Sequence, residues 1–150
     1  MATGLAIGLR QQQMDFIFQG AAAGAAPSAM FLGLKTADPG DDNSTGTEPT
    51  AGTGSYGRLT CTPGTTNWNA ATSTAGSASS VTNKVALSFA ASNAAWSTTT
   101  TSLTFAILMS ASTAGTYYGR ASLTAGQAVN ATGITLSFAI GALSWTNSFT

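Results

Sequence analysis

Apolar residues in this chain come in short bursts separated by tracts of Thr, Ser, Gly and Ala, and the spacing inside the bursts changes once along the sequence. Near the N-terminus Leu5, Leu9 and Phe16 are spaced as on one side of a helix, with Gln11, Gln12 and Gln13 between them and no proline. This spacing predicts a single amphipathic helix over residues 5–19. From Pro27 onward the period becomes two. Residues 30–35 form a short apolar run. Residues 56–62 set Tyr56, Arg58 and Thr60 on one face and Gly57, Leu59 and Cys61 on the other. Val85, Leu87 and Phe89 alternate with small or polar residues, as do Leu103, Phe105 and Ile107. Further strands are predicted over residues 117–123, 134–140 and 143–145.

Turn-forming residues separate these bursts. Residues 20–26, rich in Ala and Gly, read as a flexible connection. Residues 38–55 and 63–80 read as two long polar loops. One helix followed by six or seven short strands predicts an all-β fold, an antiparallel β-sandwich of jelly-roll-like form with the helix as an appendage. The expected organisation is an N-terminal helix and connection over residues 1–26 and one β-sandwich domain over residues 27–150.

Composition narrows what such a domain does. The 150 residues contain no histidine, one cysteine, five basic and five acidic residues. Histidine titrates nearest neutral pH and is the commonest metal ligand, so most general-base, triad and zinc mechanisms have no agent here. An enzyme is not expected, nor is a cofactor or a metal. Arg10, Lys35, Arg58, Lys84 and Arg120 are scattered singly rather than clustered for phosphate, which argues against nucleic acid. No apolar run approaches the roughly 20 residues of a membrane-spanning helix, and no basic leader precedes an apolar stretch. With charged residues at 7% against about 25% in ordinary domains, the sequence points to surfaces that meet other protein.

Individual motifs add little chemistry. Gly52-Thr-Gly-Ser-Tyr-Gly57 matches a dinucleotide-binding fingerprint but runs out of a polar loop into a strand, without the βαβ unit that gives the fingerprint its meaning. Asp38, Asp41, Asp42, Asn43 and Glu48 form an acidic cluster beside Pro39 and Gly40. It lacks EF-hand spacing and reads as a solvated loop in preference to a calcium site. Cys61 has no imidazole to form its thiolate and reads as a small core residue. Among the aromatics, Trp96 and Trp145 read as core. Trp68, isolated in a long loop, reads as an interface or sugar-stacking residue, together with Tyr117 and Tyr118. Leu5, Leu9, Phe16, Trp68, Tyr117 and Tyr118 are therefore the candidate interface residues.

Four segments, taken in order, resemble small structural proteins of tailed bacteriophages, often labelled tail-fibre or decoration proteins. They are Phe31-Leu-Gly-Leu-Lys-Thr-Ala-Asp-Pro-Gly40; Gly54-Ser-Tyr-Gly-Arg58; Asn83-Lys-Val-Ala-Leu-Ser-Phe89 with Ala95-Trp-Ser97; and Ala125-Gly-Gln-Ala-Val-Asn130 with Leu136-Ser-Phe-Ala-Ile-Gly-Ala-Leu-Ser144. The resemblance implies an antiparallel β-domain in the virion, assembled in the host cytoplasm, with no catalytic motif. The first expectation is a capsid decoration, or cement, protein that stabilises the shell as a homo-oligomer in contact with the major capsid protein. The alternatives are a tail or tail-fibre subunit bound to tail proteins and a carbohydrate-binding module.

Overall fold

The computed structural model of the chain describes residues 3–20, 27–72, 79–97 and 101–147. Most of the connection expected over residues 20–26 and the middle of the loop expected over residues 63–80 lie outside the described residues. The elements in order are β1 (Thr3–Leu5), α1 (Ile7–Phe18), β2 (Phe31–Lys35), β3 (Leu59–Thr60), β4 (Ser79–Thr82), β5 (Leu87–Ser88), β6 (Leu103–Met109), β7 (Tyr117–Gln127), β8 (Ser137–Phe138) and β9 (Ser144–Asn147). All strand pairing among them is antiparallel: a five-stranded sheet in the order β1-β7-β6-β2-β3, and two two-stranded ladders, β4-β9 and β5-β8.

The sheet is centred on β6, whose sequence LTFAILM is apolar on both faces because both are covered. One face sends Leu32, Leu34, Ala106, Leu108 and Ala121 into the main core, where they join Leu87, Phe89, Val129, Leu136, Phe138, Leu143 and Trp145 from the region of the two ladders. The opposite face carries Gly33, Lys35, Ile107 and Arg120, with Gly33 paired to Ile107 and Ile107 to Arg120.

Neutral polar residues stitch the irregular segments to this frame. Asn83 is fully buried, and its amide donates to Val85 O and Ala139 O, each at 2.8 Å, while its Oδ1 accepts from Leu143 N at 2.9 Å. Every polar atom of that side chain is occupied, so its burial carries no unsatisfied group. Ser92 Oγ donates to Ala131 O at 2.6 Å and accepts from Ile134 N at 3.0 Å, and Ser97 Oγ accepts from Val129 N at 3.0 Å. Short Ser and Asn side chains are suited to this because they reach nearby backbone groups with little rotamer entropy to lose.

Several expectations need correction. Helix α1 is not amphipathic: Ile7, Leu9, Met14, Phe16, Ile17 and Phe18 are distributed around it rather than along one stripe, and Met14 and Phe18 are 47% and 74% exposed. The expected common face of Leu103, Phe105 and Ile107 is split by an irregularity between Leu103 and Phe105, after which Ala106 and Leu108 face the core and Ile107 does not. Such a bulge inverts the in/out parity that strict alternation assumes. Over residues 56–62 only β3 is strand. Tyr56 precedes it out of a 3-10 turn at Thr53–Ser55, so Tyr56 and Cys61 are both buried in one core instead of on opposite faces. Near the C-terminus Leu136 and Phe138 are buried as expected, but Ile140 sits at a turn before Gly141 (φ 75°) and is 68% exposed. Strand β4 begins inside the stretch read as loop, where Ser79-Ser-Val-Thr82 is too short and polar to show a period.

Candidate functional site

The acidic segment 38–48 lies on the second face of the sheet, and the basic residues converge on it. Arg120 of β7 pairs with Asp38 (2.8 Å) and Asp41 (2.6 Å). Arg10 of α1 pairs with the same Asp41. Lys35, at the end of β2, is buried and donates from Nζ to Asn43 O at 3.1 Å and Thr45 O at 2.8 Å. Arg58 makes a bidentate contact with Glu48, Nε to Oε1 and Nη2 to Oε2, each 2.8 Å, and its Nη1 donates to Ala111 O at 2.9 Å and Ala114 O at 2.6 Å. Residues scattered singly along the sequence thus form one strap, and the segment expected to be a solvated loop is held at several points.

Two features explain why the strap fits. Gly33 has no side chain, and a Cβ there would lie 2.7 Å from Glu48 Oε1 and 3.0 Å from Ile107 Cγ1. The glycine in an otherwise apolar strand therefore marks where the strap approaches the sheet. Between Leu108 and Met109 the β6–β7 register shifts, so Leu108 pairs with Gly119 and Met109 with Tyr117. Tyr118 is the extra residue and packs against the core, whereas Tyr117 turns to the strap and its hydroxyl donates to Gly40 O at 3.1 Å.

The electrostatics follow from this geometry. Hydrogen bonds from Arg120 and then Arg10 hold the Asp41 carboxyl below its ordinary range. Burial lowers the Lys35 ammonium pKa against the opposing pull of Glu48. The hydrogen bond to Glu48 raises Arg58 further. Burial pushes Tyr117 up to about 12 and the Cys61 thiol up to about 12, so neither ionises near neutrality. Because the folded pKa of Asp41 is depressed, its contribution is complete above the unfolded carboxylate pKa and is lost as pH falls through the folded value. Asp41→Asn is expected to cost about 1 kcal/mol at pH 7, the upper range for exposed pairs. The difference from wild type should begin to shrink as pH falls below the ordinary carboxylate range and close only as pH passes through the depressed folded value, where the wild-type carboxyl is protonated as well. Thermal melts of both chains over a falling pH series check this, and a gap that does not narrow with falling pH would contradict it.

Of the candidate interface residues, Trp68 is 8% exposed and bridges to Asn83 beside β4. Tyr117 and Tyr118 are half-buried, on the strap side and the core side respectively. Leu5 lies on β1 and Leu9 and Phe16 on α1, with side chains outside the described set. Of the three whose side chains are described, Trp68 and Tyr118 pack with the core and Tyr117 turns to the strap. Sequence reasoning missed the strap, whose one local signal is Gly33 amid apolar strand residues. Among the described residues no group of three or more His, Cys, Asp or Glu is placed to hold a metal, and no helix is long and apolar enough to cross a membrane.

An antiparallel β-fold whose charged side chains are turned to internal clamping, with residues of the four phage-like segments in its strands and strap, belongs among the structural proteins of tailed-phage virions. The particular family is shown by a family model described as Podophage GP4 fiber I protein gp80, which matches residues 5–146; the chain belongs to that family. No curated protein matches the chain.

Proposed function

We propose that the chain is a non-enzymatic subunit of a phage tail fibre, joined to other proteins of the same virion and to further copies of itself. The family match over residues 5–146 carries this reading, because the name it prints is that of a fibre protein. It supports the tail-fibre alternative over capsid decoration. The strap supports it too. Clamping the sheet's second face with seven charged side chains, Arg10, Lys35, Arg58, Arg120, Asp38, Asp41 and Glu48, leaves an outside rich in neutral hydroxyl and methyl groups, which desolvate cheaply against a neighbour. In this reading the sheet and the ladders stack as a sandwich. The N-terminal arm, carrying Leu5, Leu9 and Phe16 with exposed Met14 and Phe18, is the segment that meets a partner.

Electron microscopy of virions carrying a tag on this chain tests the position. Density along fibres at the tail, in a few dozen copies or fewer, is the expected outcome. A tag distributed over the head in hundreds of copies would return the protein to the shell.

A further inference from the structure

The charged residues of this chain end at Arg120. No Asp, Glu, Lys or Arg occurs from there through residue 150, so every side chain that residues 121–147 present is neutral. Within that stretch β7, β8 and the turn into β9 wall a cavity of about 560 Å³. Leu123, Leu136, Phe138 and Leu143 supply its apolar lining, with Thr124 and Ser137 among its hydroxyl groups. Ile140 stands in sequence between Phe138 and Ala142, which both line the cavity, and is 68% exposed. A single exposed aliphatic residue is common on a protein surface, but this one is held in place. Ala142 N donates to Ala139 O at 3.0 Å and closes a tight turn, and Gly141 takes the third position with φ 75°, as a type II turn requires. The buried Asn83 fixes that turn at three points: its amide donates to Ala139 O at 2.8 Å, its backbone carbonyl accepts from Gly141 N at 2.9 Å, and its Oδ1 accepts from Leu143 N at 2.9 Å.

Rigid presentation lowers the ordering cost of a contact. Burying the apolar area of Ile140 favours association, and the neutral groups around it have no charge to desolvate. Charge and shape together indicate the occupant. A charged partner face would lose its hydration here without meeting a counter-ion, so the complement is another face without charge. This chain carries one. The same patch holds both a projecting side chain, Ile140, and a cavity with room for an aliphatic side chain. A patch with both parts is self-complementary, as a two-fold contact between identical chains requires, where each copy gives the other what it receives. We propose, on the reading of the chain as a subunit joined to further copies of itself, that the face formed by residues 121–144 is the contact between two copies, with Ile140 of each seated in the cavity of the other.

Sedimentation equilibrium of the full chain over a concentration series provides the readout. The wild-type chain should pass from dimer to monomer on dilution. Ile140→Asp should weaken the dimer roughly a hundredfold or more, because a two-fold contact contains the substitution twice. Its melting temperature, taken at a dilution where both chains are monomeric, should match that of wild type, since Asp suits an exposed turn. Phe18→Asp places the same charge on a residue of α1 that is 74% exposed and should leave the dimer in place. A wild-type chain that stays monomeric at every concentration would overturn the proposal together with the self-association it rests on. A dimer that survives Ile140→Asp, or one that only Phe18→Asp dissociates, would overturn the proposed surface alone and leave self-association standing.

Discussion

Replacing Glu48 by Ala is expected to destabilise the protein by about 3 kcal/mol, near the lower end of the cost of removing one partner from a buried ion pair. The side chain of Arg58 is only 9% exposed, and that of Glu48 19%. Deleting the carboxylate leaves a guanidinium that cannot lose its proton and whose Nε and Nη2 have lost their acceptors. It also removes the acceptor of the Tyr56 hydroxyl, which donates to Glu48 Oε1 at 2.9 Å while accepting from Leu34 N at 3.0 Å. The effect therefore passes from the strap through the sheet into the core. Denaturant unfolding measures it. A loss below about 1 kcal/mol, the value of an exposed pair, would show that the strap is held by its backbone contacts alone.

Phe89→Ala should cost about 4 kcal/mol, in the range for emptying a buried aromatic site. Phe89 is 4% exposed, and its ring lies 6.1 Å from Tyr56, 5.8 Å from Trp96 and 6.5 Å from Phe138 between ring centres, with the last two edge-on. Tyr56 and Trp96 also touch each other at 5.3 Å. Those neighbours cannot simply collapse into the space, because Trp96 is tied to Gly54 O and Tyr56 to Leu34 and Glu48. Against a typical domain stability of 5–15 kcal/mol, the variant should be close to unfolding at physiological temperature. Phe89→Leu, which refills most of the volume, should recover more than half of the loss when both are measured by chemical denaturation.

These two residues also show what the sequence could and could not disclose. Phe89 is legible: it alternates with Leu87, and both are buried beside their predicted strand. Lys35 and Arg58 are not, because a basic residue on a strand reads as solvent-facing unless its partner is known. The partners lie in a segment whose composition is that of a free loop. Pairings such as Arg120 with Asp38 join residues far apart in sequence and leave no local period. Trp68 shows the opposite failure. It stands among polar residues, yet an isolated bridge to Asn83 draws it inward. Parity along β6 and β7 is likewise hidden, since a bulge is a property of two strands and each sequence alone continues to alternate.

The mutual pairing of the charges has a kinetic consequence. Charged partners attract one another across solvent over roughly 8–10 Å at physiological salt, and such steering raises association rates far above the unassisted value. A chain with zero net charge, whose arginines already face carboxylates at close range, projects little field into solution. Its encounters with neighbouring proteins should proceed at the unsteered rate of about 10⁵–10⁶ M⁻¹s⁻¹ and change little with ionic strength. The strength of a contact made by such a surface is then set by shape and burial rather than by the salt around it.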